Sequence, residues 1–312
     1  MLFDLVGTLT TAVSAEQRNI GHHLVAAALD TPLDEYLSVL LNTYVERAKG
    51  SRGTMEETMR WVARHSGTDP SDLDLKRACT LRRTAERRHL RFRSDAARVL
   101  ATLHSAGIRT GVVSDCTHEV PTLWPSLGLS RYVDAAVFSV EVGTCKPDPQ
   151  IYLAACRQLG VRPAECVYVG DGGSRELTGA RDIGMFAIRL VAPDSDLHVA
   201  HLPEPGWRGP VINSLSDLLP LGRLSKPPAE RAEADSSAGK AEVCPHTGVV
   251  CGCADNAASG RIGPAQPASG ALRDGLAALN DATATAWIPR PRTARDAGPV
   301  PAADAGAALG TG

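Results

Sequence analysis

The sequence predicts an α/β fold in which a parallel sheet carries helices on both faces. Beyond residue 107, short apolar runs typical of strands alternate with stretches of helical periodicity. Residues 14–106 have the pattern of helices almost throughout, and the composition changes near residue 225 to Ala, Gly and Pro with few large apolar side chains. We therefore expect a core at residues 1–13 and 107–222, an inserted helical domain at residues 14–106, and a disordered tail at residues 223–312.

The predicted strands are short and apolar. They occupy residues 1–5, 108–114, 135–139, 166–170, 185–190 and 210–213. Because helical stretches separate them, parallel pairing through helical crossovers is favoured. Ligands of such sheets bind at the carboxyl ends of the strands, so the residues that directly follow each strand are candidates for a functional site.

The predicted helices are indicated by apolar periodicity and by capping residues. In the helical domain these signals are Leu37, Leu40, Leu41 and Tyr44 at helical spacing, the capping box Thr54 and Glu57, and a helix bracketed by Ser94 and Gly107. In the second half, a helix opens at Asp148-Pro149 and ends at Gly160, another spans Ser174–Gly184, and a last one begins at Ser216.

Composition excludes several classes of protein. Lys and Arg number 33 and Asp and Glu number 35, so the formal net charge is −2 and gives no reason to expect a nucleic-acid binder. The chain lacks a run of about 18 apolar residues, which argues against a membrane-spanning helix, and no secretory signal is recognised. The eight Cys are scattered, which favours reduced thiols over a disulfide framework. These features predict a cytoplasmic protein.

Chemically active side chains follow the predicted strands. The first strand leads into Asp4, within Phe-Asp-Leu-Val-Gly-Thr-Leu-Thr, and the second ends at Ser114. Lys146 lies in Gly-Thr-Cys-Lys-Pro-Asp-Pro-Gln-Ile-Tyr, and the strand that ends at Gly170 is followed by Asp171 and then by Glu176. The sheet would bring these groups together on one rim.

This set of groups suits phosphoryl transfer. A phosphate needs positive charge, hydrogen-bond donors and a nucleophile in line with the leaving group. Lys146 supplies charge, Ser114 supplies a hydroxyl donor, and Asp4 is a carboxylate that can form an aspartyl-phosphate. A hard divalent cation between Asp4, Asp171 and the phosphate would remove the repulsion between anions, and Mg²⁺ is the usual choice.

The order of these motifs resembles the haloacid dehalogenase-like hydrolase superfamily over about residues 1–220. Asp4-Leu5-Val6-Gly7-Thr8-Leu9 is similar to its first motif, Asp-x-Asp-Gly-Thr-Leu. Ser114 matches the second motif, Lys146 the third, and Asp171 with Glu176 the acidic fourth motif. The helical domain resembles the cap of the subfamily that inserts it between the first two motifs. The resemblance implies a Rossmann-like core with a helical cap.

The resemblance also implies functional roles. Asp4, Ser114 and Lys146 would be catalytic, with Thr8, Ser114 and Lys146 binding the substrate. Mg²⁺ would be held by Asp4, the backbone carbonyl of Val6, Asp171 and Glu176. The implied activity is hydrolysis of a small anionic substrate, most simply a phosphate ester.

Val6 departs from the family pattern. Its position normally carries a second Asp, which protonates the leaving oxygen and later activates water, and Val cannot carry a proton. Another proton carrier is one explanation; the candidates by position are His22, His23, Asp115 and His118. A good leaving group, which needs no acid, is a second.

Other reactions and a non-catalytic role stay open. Phosphonate-cleaving relatives have Ala at the position of Val6 and need a cap lysine, for which Lys49 and Lys76 are the choices. Halide-releasing relatives have Tyr there but lack the acidic fourth motif. A phosphate-binding protein without activity is the remaining alternative.

Three further features of the sequence lie outside these motifs. Residues 76–93 hold eight Lys or Arg against Glu86 alone, which indicates a solvated helix face or a field that attracts an anion. The tail contains Cys244, His246, Cys251 and Cys253, whose spacing is poor for a zinc site. Three residues precede Asp4, which is short for a central strand and leaves open whether Met1 is the true start.

Overall fold

The computed structural model describes residues 1–195, 204 and 206–219. Its core is a six-stranded sheet with the order β3-β2-β1-β4-β5-β6, and every pair of neighbours is parallel. The strands are β1 (Leu2–Phe3), β2 (Gly111–Ser114), β3 (Ala135–Phe138), β4 (Val167–Gly170), β5 (Phe186–Leu190) and β6 (Val211–Ile212). The predicted parallel α/β fold is confirmed, and β1 lies at the centre of the sheet.

Helices fill the connections between these strands. Between β1 and β2 lie α1 (Ala15–Ala28), α2 (Leu33–Asn42), α3 (Tyr44–Ala48), α4 (Met55–His65), α5 (Asp72–His89) and α6 (Ala96–Ser105). The later helices are α7 (Glu119–Leu123), α8 (Ser139–Val142), α9 (Pro149–Leu159) and α10 (Glu176–Asp182). Short 3₁₀ turns lie at 124–126, 130–132, 163–165, 173–175 and 215–218.

Capping residues set several helix boundaries as predicted. Thr54 and Glu57 form the expected capping box at the start of α4. Asp148 accepts a hydrogen bond from the Gln150 amide at the start of α9, and Gly160 ends that helix in the left-handed conformation with a φ of 62°. These caps satisfy backbone groups that the helix itself leaves without partners.

The structure departs from the predicted elements in several places: β2 begins at Gly111 and not at residue 108, and α7 and α8 were not predicted. Strand β1 is only two residues long, because the chain turns tightly over Leu5–Leu9 with Gly7 at a φ of 91°. Helix α10 begins at Glu176, since the two residues before it have positive φ angles. Leu41 was expected on an apolar face but is 78% exposed. A 3₁₀ turn, Leu215–Leu218, replaces the start of the last predicted helix within the described residues.

Three apolar clusters hold these layers together. One lies on the face of the sheet that packs against α6, and includes Phe3, Leu100 and Leu103. A second lies on the opposite face under α9 and α10, with Leu2, Tyr152 and Tyr168 among its members. The helices α1, α2, α4 and α5 enclose a cluster of their own that contains Val25, Tyr36, Met59, Val62 and Leu75.

The chain crosses between the sheet and α1–α5 through two segments that pair with each other. Thr10 and Phe92 form an antiparallel bridge. The Thr11 amide donates to the Arg91 carbonyl at 2.8 Å, and the Arg93 amide donates to the Leu9 carbonyl at 3.0 Å. We call residues 9–11 and 91–93 the linker ribbon. It joins the two chain connections into one unit beside the first strand.

The remaining observations concern membrane-spanning helices, the C-terminal tail and the cysteines. Among the described residues, no helix has the length and apolar character needed to span a membrane. The predicted disordered tail at 223–312 and its Cys244, His246, Cys251 and Cys253 lie outside the described residues. Within those residues, the five Cys are all free thiols.

Candidate active site

The structure brings the predicted groups together at the carboxyl edge of the sheet. Asp4 directly follows β1, Ser114 is the last residue of β2, and Asp171 directly follows β4. Lys146 reaches the same place from the loop between α8 and α9. Asp4, Ser114 and Lys146 are 5%, 1% and 8% exposed, so the site is enclosed.

Lys146 is the electrostatic centre of the site. Its Nζ donates to Asp4 Oδ1 at 2.5 Å and to Glu176 Oε2 at 2.6 Å. Burial alone would lower the pKa of Lys146, but the Asp4 and Glu176 carboxylates outweigh it and hold that pKa well above its usual value. Lys146 therefore carries a fixed positive charge in a site screened from water.

Glu176 is held entirely by protein donors. Its Oε1 accepts from the Gly172 amide at 3.0 Å, and its Oε2 accepts from Lys146 and from the Tyr168 hydroxyl at 2.7 Å. Burial raises the pKa of Glu176 to about 6 against the opposing effect of Lys146. Because both oxygens are engaged, Glu176 in this arrangement orients Lys146.

Tyr168 and Tyr152 belong to this network, and sequence reasoning did not identify them as site residues. The Tyr152 hydroxyl donates to the Glu176 carbonyl at 2.9 Å, and the two rings meet edge to face with centroids 5.4 Å apart. Both had the pattern of ordinary apolar positions, Tyr168 in a strand and Tyr152 on the inner face of a helix. Tyr152 ends the Gly-Thr-Cys-Lys-Pro-Asp-Pro-Gln-Ile-Tyr stretch that carries Lys146, whereas for Tyr168 the only signal was a hydroxyl at a buried position, which needs a partner.

Three of the buried oxygen atoms that have no hydrogen-bond partner belong to the residues that follow or end β1 and β2. They are Asp4 Oδ2, Thr8 Oγ1 and Ser114 Oγ. Burial raises the pKa of Asp4 to about 6, with Lys146 opposing and Asp171 adding to the rise. Buried polar atoms are rarely left without partners, so atoms of this kind are the ones available to a ligand.

The acidic residues form a set that fits a divalent cation. Carboxylate oxygens of Asp4, Asp171 and Glu176 lie within 4.8 Å of one another. Oxygen ligands of this type suit Mg²⁺. Asp4 Oδ2 has no partner, and Asp171 Oδ1 accepts from the Gly173 amide at 2.9 Å, whereas both oxygens of Glu176 bind protein donors. The acidic set therefore fits a cation, and Glu176 is the member most fully engaged by the protein.

The loop after β4 is conformationally strained. Gly172 has a φ of 98°, and the next turn places Ser174 and Arg175 at 54° and 56°. Only glycine adopts the first value readily, and two consecutive left-handed non-glycine residues are costly. This geometry turns the chain so that the Gly172 amide meets the side chain of Glu176.

Of the proposed replacements for the missing acid, Asp115 contacts the site directly. Its Oδ1 accepts from the Lys146 amide at 2.9 Å, and its carbonyl accepts from the Tyr44 hydroxyl at 3.1 Å. Burial raises the pKa of Asp115, with Lys146 opposing.

The three histidines are placed differently. His22 lies 6.1 Å from the Tyr36 ring, and burial together with nearby arginines lowers its pKa to about 4. His23 is exposed on α1. His118 follows β2, and its Nε2 is buried without a partner. Lys49 lines an open cleft of about 550 Å³ with Thr144 and Arg157, and Lys76 is exposed on α5.

The basic run at 76–93 is not one solvated face. Arg82 forms a buried ion pair with Glu119, and Arg93 donates to the Gly7 and Thr8 carbonyls. Lys76, Arg77, Arg87 and Arg88 remain exposed on α5. The interpretation as a uniform charged surface is wrong for Arg82 and Arg93, because tertiary contacts bury both side chains.

A parallel sheet with a carboxylate, a lysine and an acidic pair at its carboxyl edge is an α/β fold with a candidate site at the place where such sheets bind ligands. The chain belongs to the haloacid dehalogenase-like hydrolase family, whose model matches residues 1–184.

Relatives at the sequence level include phosphatases and a dehalogenase. The chain is 28% identical to the glyceraldehyde 3-phosphate phosphatase of Methanopyrus kandleri over 61% of this chain and 82% of that protein. It is 25% identical to the phosphoglycolate phosphatase of Salmonella paratyphi A, over 70% and 90% respectively. It is 31% identical to (S)-2-haloacid dehalogenase 4A of Burkholderia cepacia, over 41% of this chain and about half (53%) of the dehalogenase.

The solved structure of 2-haloacid dehalogenase from Pseudomonas syringae pv. tomato DC3000 has the same fold. It matches with a TM-score of 0.52 and 21% identity, over 71% of this chain and 96% of that one.

Proposed function

We propose that the protein is a Mg²⁺-dependent phosphatase of small phosphate esters that works through an aspartyl-phosphate on Asp4. The observation that carries this proposal is the group of partnerless buried oxygens of Asp4, Thr8 and Ser114 beside the charged Lys146. A carboxylate, two hydroxyls and an ammonium group in one enclosed site suit a phosphoryl group. The phosphatase names of two relatives support the same reaction.

Each side chain has a role in this proposal. Lys146 holds Asp4 Oδ1, which leaves Oδ2 as the oxygen that attacks phosphorus. Ser114 and Thr8 donate hydrogen bonds to the transferring group, and the charge of Lys146 offsets its negative charge. Glu176 keeps Lys146 in place through the 2.6 Å ion pair.

Asp4, the Val6 carbonyl and Asp171 would hold the cation. Bound Mg²⁺ supplies positive charge that reduces repulsion between the carboxylate and the phosphate. Glu176 completes the acidic set but binds Lys146 and Tyr168, so we assign it to positioning.

Residues 14–106 act as a cap in this proposal, with residues 1–13 and 107–222 as the core and a cytoplasmic location. The Tyr44 hydroxyl links α3 to the backbone of Asp115, directly beside the site. The low exposure of Asp4 and Lys146 is the property that a cap provides, since it excludes water from the reaction.

Hydrolysis of a carbon–halogen or carbon–phosphorus bond is the competing activity, and the dehalogenase relative raises it. The acidic pair Asp171 and Glu176 favours phosphate chemistry, because a halide displacement needs no cation. A silent phosphate-binding protein is the other competitor, and Val6 is the one residue that favours it.

The test is phosphate release by the full chain from an aryl phosphate and an alkyl phosphate, with Mg²⁺ and with EDTA. We expect Mg²⁺-dependent release from the aryl ester and its loss in Asp4→Asn. Asp34→Asn, on the exposed side of α2, is the matched control and should keep full activity. Silence on both esters, or full turnover by Asp4→Asn, would exclude the proposed mechanism.

A further inference from the structure

The Arg93 side chain makes three contacts that the proposed phosphatase roles do not use. Its Nε donates to the Thr8 carbonyl at 2.8 Å and its Nη2 donates to the Gly7 carbonyl at 2.6 Å. Its Nη1 forms an ion pair with Asp194 Oδ1 at 2.7 Å, and the Arg93 side chain is only 10% exposed. A guanidinium group that uses all three nitrogens is held in one orientation.

The carbonyls that Arg93 binds belong to the loop that carries the nucleophile. Residues 5–9 form a tight turn in which Val6 and Gly7 depart from helical geometry. Thr10, directly after this loop, supports it: the Thr10 hydroxyl accepts from the Gly7 amide at 3.3 Å and donates to the Leu5 carbonyl at 3.2 Å. Arg93 approaches from outside the loop and fixes the Gly7 and Thr8 carbonyls. Gly7 directly follows Val6, and Thr8 carries the hydroxyl that has no partner.

Asp194 extends this contact to a third segment. Its Oδ2 accepts from the Ala12 amide at 2.7 Å, and Ala12 follows the first strand of the linker ribbon. Burial would raise the pKa of Asp194, but the Arg93 guanidinium and the Ala12 amide hold it below its usual value. Arg93 and Asp194 therefore join the nucleophile loop, the linker ribbon and the segment after β5.

We propose that Arg93 is a positioning residue that sets the nucleophile loop and couples it to the linker ribbon. All three of its side-chain nitrogens donate to protein groups, and it acts through the Gly7 and Thr8 carbonyls. Since the ribbon connects α1–α5 to the sheet, a displacement of those helices would reach the loop through Arg93. The catalytic part of this inference rests on the proposed function, whereas its structural part does not.

The experiment compares Arg93→Gln, Arg93→Lys and Asp194→Asn with Arg98→Gln. Arg98 is the matched control. It is an exposed arginine on α6, and its side chain donates one hydrogen bond, to Ser216 Oγ. Hydrogen exchange of peptides that cover residues 5–11 should rise in Arg93→Gln and Arg93→Lys, rise less in Asp194→Asn, and stay unchanged in Arg98→Gln. Lysine does not rescue, because a single ammonium group cannot bind two carbonyls and Asp194 in a fork.

Kinetics on an aryl phosphate give the second measurement. Misplacing a reacting group by about 1 Å costs about 100-fold, so we expect kcat to fall about 10–100-fold in Arg93→Gln with KM changed less than threefold. A KM increase at constant kcat would overturn the proposal in favour of substrate binding by Arg93. Unchanged exchange and kcat would also overturn it.

The two proposals fail in different ways. If the wild type releases no phosphate, the proposed function fails while the exchange result still decides whether Arg93 orders the loop. If Arg93→Gln does not fold, Asp194→Asn decides, because it keeps the side-chain shape and removes only the charge. Normal exchange and normal kcat in a folded Asp194→Asn would then refute the coupling.

Discussion

Gly170 and Glu176 pack so closely that a β-carbon on residue 170 would overlap Oε1 of Glu176 and lie 2.6 Å from its Cδ. The glycine at the end of β4 therefore makes room for the carboxylate that orients Lys146. A side chain here would displace Glu176 from Lys146 and Tyr168, both of which hold its Oε2.

We expect the free energy of unfolding to fall by about 1–3 kcal/mol in Gly170→Ala, because the added methyl group overpacks the site. The variant should also lose most of its phosphatase activity. Urea denaturation and initial rates measure the two effects. Gly128→Ala is the control, since its nearest neighbour is the Arg131 side chain at 3.6 Å. Wild-type activity in Gly170→Ala would show that Glu176 does not need its observed position.

Tyr168→Phe removes one donor to Glu176 and leaves the ring in place. Hydrogen bonds to charged groups contribute about 1.5–3 kcal/mol, so the free energy of unfolding should fall by about 2 kcal/mol. Tyr132→Phe, which removes a hydroxyl on the surface turn at 130–132, serves as the control and should be neutral. An equal change in both variants would mean that the 2.7 Å contact has no net effect on stability.

Val6→Asp restores the carboxyl group that the family pattern places two residues after the nucleophile. A positioned acid contributes about 10²–10⁴-fold, and it matters only where the leaving alkoxide must be protonated. We therefore expect the alkyl-to-aryl rate ratio to rise by about 100-fold or more in Val6→Asp. Val6→Asn is the control, because the Asn side chain has nearly the same shape as Asp but cannot act as an acid. A similar rise in Val6→Asn would contradict the explanation.

If the wild type also turns over the alkyl ester, the structure offers Asp115 as the acid, because its carboxylate accepts from the Lys146 amide at 2.9 Å. Asp115→Asn keeps an oxygen for that amide and removes the proton, so alkyl phosphate turnover should fall about 100-fold while aryl turnover stays within a few-fold. Asp115→Ala removes both and should lower both rates. Equal losses on both esters in Asp115→Asn would assign Asp115 to the support of Lys146 alone.

The Arg82–Glu119 pair ties α5 to α7, and the Glu119 side chain is 3% exposed. Removing one partner of a buried pair costs about 3–5 kcal/mol, which is the expected loss in Glu119→Gln. Glu46→Gln, which breaks the ion pair between this half-exposed carboxylate and Arg52, is the control and should change little.

The same pair predicts a pH dependence. Burial raises the pKa of Glu119, but Arg82 and the Thr117 hydroxyl outweigh it, so the pKa of the folded state lies below the usual 4.5. A lowered pKa means that the stabilisation is present above about pH 4.5 and is lost as the pH falls through the folded value. The stability difference between wild type and Glu119→Gln should therefore shrink on acidification, and a constant difference from pH 7 to 3 would refute this assignment.

Much of the fold could be predicted because local patterns and global packing agree. The apolar runs and the alternation after residue 107 agree with the observed parallel sheet. The caps at Thr54 and Gly160 agree with the observed ends of α4 and α9. The boundaries at Ser174 and Arg175 were not predictable, because their positive φ angles are imposed by contacts across the loop and no local signal announces them. Leu41 was misassigned because helical spacing does not tell whether another element covers that face.

The set of residues that meet at the carboxyl edge follows from the sequence. Asp4, Ser114, Lys146 and Asp171 each follow or approach a strand end, and parallel order places those ends on one rim. Their partners follow from the tertiary structure: Lys146 binds Asp4 and Glu176, Tyr168 binds Glu176, and Arg93 binds the Gly7 carbonyl 86 residues earlier in the chain. Hydrogen-bond partners depend on distances of about 3 Å between residues far apart in sequence, and such distances are fixed by packing and not by local pattern.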